Sequence, residues 1–162
     1  MTVPRTIGQL PFHYSGKRIN NKKGYLFMEN GPLYPFGHGL SYAKFNYANA
    51  KASAATMSVS GEFTVSVEVT NSGTMAGKEV VQLYLTDEIG SVTRPEKELK
   101  SFQKIMLEPG ETKTVSFTIT PEMLEFTRLD MTKGLESGEY TAMIGTSSAV
   151  GKMVKFRLNA AR

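Results

Sequence analysis

Phe63-Thr64-Val65-Ser66-Val67-Glu68-Val69-Thr70 alternates apolar and polar side chains without a break. Successive side chains of a β-strand point to opposite faces, so this stretch reads as a strand with one face in a core and the other in water. Asn71-Ser72-Gly73 supplies the turn that ends it. Working outward, Val81, Leu83 and Leu85 repeat the period, with Gln82 and Thr86 on the opposite face and Tyr84 covering that face. Val115, Phe117 and Ile119 follow the turn Glu108-Pro109-Gly110, and Tyr140, Ala142 and Ile144, then Val154, Phe156 and Leu158, give two further strands. Residues 45–51 and 99–107 bring the expected number to seven, and helical periodicity is nearly absent. Seven short strands with turn residues between them predict an immunoglobulin-like sandwich of about 100 residues, with a closed barrel as the structural alternative.

Residues 99–107 do not hold one phase. Ile105 and Leu107 share a face, and Phe102 falls on the other unless a bulge near Ser101 shifts the register. Lys97, Lys100 and Lys104 suit an exposed edge strand, because charge discourages pairing with another molecule. Tyr140, after the turn Ser137-Gly138-Glu139, stands where a tyrosine corner is expected, the other reading being an inward-facing aromatic. Thr120-Pro121-Glu122 predicts a single helical turn with Thr120 as its cap and Pro121 at the first helical position.

The chain has 162 residues, enough for one domain with a real core. It lacks Cys, which excludes disulfides and thiol chemistry, and no apolar run approaches the length needed to span a bilayer, so no membrane partner is expected. No basic-then-apolar leader follows Met1, so an export signal would have to lie upstream or be missing. The net charge of +4 is spread along the chain, and its densest cluster, Lys17-Arg18 with Lys22-Lys23, has no aromatic stacking ladder. A solvated surface accounts for it better than a nucleic-acid partner does.

Residues 1–40 have no period, several Pro and Gly, and aromatics at Phe12, Tyr14, Tyr25, Phe27, Tyr34 and Phe36. Within them begins Gly31-Pro32-Leu33-Tyr34-Pro35-Phe36-Gly37-His38-Gly39-Leu40-Ser41-Tyr42, too rich in Pro and Gly for a helix or regular strand, with apolar side chains expected to be buried. It reads as a packed connector. Such an arm can cover its own domain, stay partly disordered or self-associate with a second copy.

This connector resembles the segment leading into the C-terminal fibronectin type III-like domain of glycoside hydrolase family 3, the family of bacterial β-glucosidases and β-xylosidases. Other stretches are similar to the family pattern in the family's order. Val3-Pro4-Arg5-Thr6-Ile7-Gly8-Gln9-Leu10-Pro11 resembles the tail of its second domain, and Arg94-Pro95-Glu96-Lys97-Glu98-Leu99-Lys100-Ser101-Phe102-Gln103-Lys104 resembles its Arg-Pro-x-Lys-x-Leu-Lys-x-Phe signature. Glu108-Pro109-Gly110-Glu111-Thr112 and Ser137-Gly138-Glu139-Tyr140 resemble two of its turns. Ser101 stands where Gly is common, and residues 126–135 fit the pattern poorly.

The resemblance implies an all-β, fibronectin type III-like, seven-stranded antiparallel β-sandwich at residues 41–162. An irregular N-terminal arm, residues 1–40, would resemble the end of a preceding α/β sandwich domain. It implies structural roles for Tyr34, Pro35, Phe36, Gly37, Gly39, Leu40, Ser41, Tyr42, Arg94, Pro95, Leu99, Phe102 and Tyr140. The partner would be the catalytic domains of a family 3 enzyme, in cis or as a split partner, and that family is often periplasmic or secreted. The role implied is a non-catalytic accessory domain of an enzyme that removes terminal β-D-glucosyl or xylosyl residues. An independent carbohydrate-binding or cell-surface module is the alternative, disfavoured because the strand aromatics mostly take inward positions.

No catalytic, cofactor or metal site is expected in this chain. The family nucleophile is an Asp in Ser-Asp-Trp; here there is no Trp, and the aspartates are Asp87, before Glu88, and Asp130, before Met131. Glu96 and Glu98 as strand neighbours would stand roughly 6.6 Å apart, within the inverting range, but adjacent Lys97 and Lys100 mark an ordinary charged edge. His13 and His38 lack ligand partners at metal spacing. Gly37-His38-Gly39 lacks the context of a phosphate loop, and Ser41 that of a nucleophile elbow.

Overall fold

The structure, a computed structural model, describes residues 1–9, 12–17, 29–59 and 61–160. Of the basic cluster only Lys17 falls among them; Arg18, Lys22, Lys23, Tyr25, Phe27, Leu10 and Pro11 lie outside the described residues.

The strands are β1 (Phe45–Ala52), β2 (Thr56–Ser58), β3 (Phe63–Asn71), β4 (Gly77–Asp87), β5 (Glu98–Leu107), β6 (Thr112–Ile119), β7 (Phe126–Thr127), β8 (Lys133–Gly134), β9 (Gly138–Gly145) and β10 (Gly151–Asn159). A three-stranded sheet, β1-β3-β6, faces a five-stranded sheet, β2-β10-β9-β4-β5, and β7 and β8 form a separate hairpin. All seven expected strands are present. The expected count is corrected by three short additions, β2, β7 and β8, and the antiparallel rule by β2, which pairs parallel to β10.

The core lies between the sheets. Phe63, Val65, Val67 and Val69 of β3 and Val115, Phe117 and Ile119 of β6 meet Val81, Leu83 and Leu85 of β4, Tyr140, Ala142 and Ile144 of β9, and Phe156 and Leu158 of β10. Each such side chain contributes about 1.5–3 kcal/mol relative to exposure. Phe63 and Phe156 pack with centroids 4.6 Å apart.

Alternation survives in β6, whose Thr114, Ser116 and Thr118 are exposed between buried neighbours. It fails in the centre of the larger sheet, where Val81 through Leu85 of β4 and Tyr140 through Gly145 of β9 are all buried. A strand buried on both faces requires a cover on each; the N-terminal connector supplies the second over β4, and Glu88 meets Thr141 of β9.

Asn71 marks more than a turn. It is fully buried, and its amide donates to the carbonyls of Met75 (2.8 Å) and Leu107 (3.1 Å) while accepting from the Gly73 amide at 3.0 Å. Glu108-Pro109-Gly110-Glu111 closes through Glu111 N–H to the Glu108 carbonyl at 3.0 Å, with Gly110 at φ 78°, the conformation a type II turn requires at that place. The helical turn α1 (Pro121–Leu124) carries Pro121 at its start as expected, but the Thr120 side chain makes no capping hydrogen bond; the Met123 amide reaches the Thr120 carbonyl at 3.1 Å instead.

β5 is an edge strand, as its lysines predicted. The edges β5 and β6 cover each other: Gln103 Nε2 donates to the Ser116 carbonyl at 2.6 Å and Lys113 Nζ to the Met106 carbonyl at 2.7 Å. The bulge is present too, with Leu83 opposite Ser101 and Tyr84 opposite Leu99, which leaves Lys100 as the extra residue. Because it precedes Ser101, Phe102 stays on the outer face opposite Gln82 and is 63% exposed, while Leu99 crosses to that face opposite Tyr84.

Candidate functional site

The outer face of the five-stranded sheet is where the connector lands. Pro35-Phe36-Gly37-His38 forms a turn closed by the His38 amide and the Pro35 carbonyl at 3.1 Å, with Gly37 at φ 81°. A Cβ on Gly37 would lie 2.1 Å from Gln82 Oε1, so glycine is needed for both conformation and closeness. Gln82 Nε2 donates to the carbonyls of Gly37 (3.1 Å) and Thr146 (2.7 Å), and Gln82 Oε1 accepts from the Tyr84 hydroxyl at 2.5 Å. Burial pushes the Tyr84 hydroxyl well above the ordinary phenol range, so it remains a donor. The Ser148 amide donates to the Phe36 carbonyl at 2.8 Å.

Tyr14 stacks on Phe36 at 4.2 Å and meets Tyr84 edge-on at 6.0 Å, so the arm covers the sheet with aromatic rings as well as backbone. Further bridges join Val3 to Tyr34 and Lys17 to Pro95. Of the open choices for the arm, these described parts cover their own domain.

Beside this clasped turn lies a groove of about 1080 Å³, lined among others by Phe36, Leu40, Val80, Leu99, Phe102 and Val150. The expectation that the connector buries its large apolar residues is corrected here. Phe36 is half-buried against Tyr14, but Leu40 and Tyr42 are 95% and 94% exposed. Ser41 Oγ accepts from the Ala43 amide at 3.1 Å, a local turn bond, and Gly39 is exposed beside it. Glu79 also lines the groove; Tyr47 of β1 donates its hydroxyl to Glu79 Oε1 at 2.8 Å across the two sheets. Burial holds both groups above their usual values.

At the opposite end of β4, Arg94 Nη1 pairs with Asp87 Oδ2 at 2.8 Å, its guanidinium 4.8 Å over the Phe126 ring and 3.9 Å from Glu98 Oε2. Both partners of the first pair are almost wholly buried, so Arg94 serves to neutralise Asp87. Tyr140 satisfies both readings offered for it: it is buried in the core, and its hydroxyl donates back to the Glu136 carbonyl at 3.2 Å.

Glu96 and Glu98 do not form the strand pair considered from sequence. β5 starts at Glu98, Glu96 sits on the bend before it, and the two line different hollows. Glu98 is paired to Lys100 at 2.9 Å. Asp130 accepts from the amide and hydroxyl of Thr132, which hold its carboxyl below the ordinary range. His38 stacks on Tyr34 at 5.2 Å, and His13 is exposed. The residue that sequence reasoning passed over is Gln82; an amide between valine and leucine on a strand that also carries Tyr84 was its available signal.

Residues 79–148 match the family model described as the fibronectin type III-like domain. A putative β-xylosidase of Formosa agariphila is 63% identical over 98% of this chain and 21% of its own length. The periplasmic β-glucosidase of Salmonella typhimurium is 44% identical over 98% of the chain and 22% of its own length. Among solved structures, a β-glucosidase from Erythrobacter marinus superposes with a TM-score of 0.91 at 41% identity, covering 98% of this chain and 21% of that one. The Listeria innocua β-glucosidase bound to isofagomine gives 0.87 at 36% identity, covering 98% and 24%. The chain thus spans about a fifth of the length of these relatives.

Proposed function

The chain carries the fibronectin type III-like domain of the glycoside hydrolase family 3 enzymes, and from that premise we propose that it is a non-catalytic accessory domain acting in cis on the hydrolytic domains of such an enzyme. The whole enzyme would remove terminal β-D-glucosyl or xylosyl residues. The observation that carries this reading is the pairing of near-complete coverage of this chain with about a fifth of each relative. We take residues 1–40 as the connector and residues 41–162 as the sandwich. Within them, Tyr34 through Gly37 secure the connector to the sheet, Arg94 and Tyr140 fix the loop end, and Leu99 and Phe102 build the outer face.

The test replaces the matching segment of the Formosa agariphila relative with this chain and assays aryl β-glucosides and β-xylosides. Glycosidase activity of the chimera within about threefold of the parent, with none above a mock preparation for the chain alone, is expected. Turnover by the chain alone overturns the reading.

Exposed Tyr42 and Phe102 favour a second reading, a sugar-binding module, since outward rings can stack on pyranose faces. Titration calorimetry with cellobiose separates the two, because an accessory domain gives no saturable heat.

A further inference from the structure

We propose that the groove beside the connector is the surface through which this domain docks onto the rest of a family 3 enzyme, and that Leu40, Phe102 and Val150 are its apolar anchors. This rests on the accessory-domain reading and adds the face that serves it.

Exposed apolar residues scattered singly need no explanation, but here they converge. Leu40 (95% exposed), Phe102 (63%) and Val150 (61%) line one groove. A contiguous apolar patch of this kind marks an interaction site. The turn that precedes Leu40 is tied to the sheet. Gln82 and the Ser148 amide tie the turn at Phe36 and Gly37 to the sheet, so little order remains to be imposed on binding.

The charged residues lining the groove are Lys78 and Glu79, and Glu79 is already engaged by Tyr47. That chemistry suits an apolar protein surface and offers poor complementarity to a charged ligand. The relatives supply such a partner covalently, since about four fifths of their length lies outside the region this chain matches. Covalent linkage raises the effective concentration of that partner, so a modest apolar patch suffices.

The experiment compares Leu40→Ser, Phe102→Ser and Val150→Ser in two settings: this chain alone, and the chimera in which it replaces the matching segment of the Formosa agariphila enzyme. In the chain alone the side chains are exposed, so each variant should melt within about 2 °C of the parent. In the chimera each should lower the melting temperature of the fused domain by at least about 4 °C, and Leu40→Met and Val150→Ile should restore it. Ile89→Ser and Leu129→Ser, exposed residues toward the other end of β4, serve as controls and should be silent in both settings.

Chimera losses confined to Ile89 and Leu129 overturn the face while leaving the accessory reading intact. No loss from any of the five substitutions also overturns the face, whereas the accessory reading falls only to turnover by the chain alone. A dimer of the free chain that the serine variants dissolve, or saturable cellobiose binding that they abolish, assigns the groove to another occupant and overturns the proposal.

Discussion

Gln82 and Glu79 lie three residues apart on β4 and show two ways a polar side chain can sit in a sandwich. Gln82 is buried with both amide hydrogens and its carbonyl oxygen engaged, which makes it a neutral and fully satisfied clasp. Glu79 is an ionisable group whose carboxyl burial raises above its reference value of 4.5. A raised carboxyl in the folded state binds its proton more tightly than in the unfolded chain. Its favourable contribution is therefore complete below about pH 4.5 and is lost as pH rises through the higher folded value. Glu79→Gln keeps an oxygen to accept from Tyr47 and removes the buried charge. Its melting temperature relative to the parent should be flat in acid and should rise in its favour between pH 4.5 and 7 by a few degrees; a difference that does not change with pH contradicts this origin of the shift. Neither role was legible in sequence: Gln82 stands on the outer face, where a polar residue normally meets water, and the partner of inward-facing Glu79 lies on the other sheet.

At the scale of elements, the strands were legible and their covering was not. Period-two runs located β3, β4, β6, β9 and β10, since each of these strands has one face in the core, and two further stretches gave β1 and β5. β2, β7 and β8 are too short to show a period. The bulge in β5 was readable from the broken phase, but its side of Ser101 was not, because only the pairing with β4 shows which residue is extra. The connector was recognisable by composition, and its docking face depended on contacts remote in sequence, such as Gly37 with Gln82. Gly37→Ala tests that docking. It places a Cβ against Gln82 and strains a backbone at φ 81°, at a cost of about 1–3 kcal/mol. The Ser148 amide, which donates to the Phe36 carbonyl, should exchange with solvent at least about tenfold faster, with the Val67 amide unchanged. Equal protection at Ser148 in parent and variant would show that the connector does not depend on this close approach.

The whole molecule has two differently finished faces. The outer side of β6 is threonine and serine, open to water, whereas the outer side of β4 is covered by the connector beside a groove lined by exposed leucine, phenylalanine and valine. A stable core independent of that groove explains how one sandwich can fold by itself and still present an apolar surface outward. The sequence motifs carried the family assignment, but could not reveal which apolar side chains of the connector turn in and which turn out.

Differential scanning calorimetry of the chimera, with this chain in place of the matching segment of the Formosa agariphila enzyme, measures most directly whether the domain works as part of a larger body. Docking predicts that the domain unfolds together with the remainder, in one transition above the melting temperature of the chain alone. A separate transition at the temperature of the isolated chain would mean that the two parts are joined only by a tether, and would contradict the account.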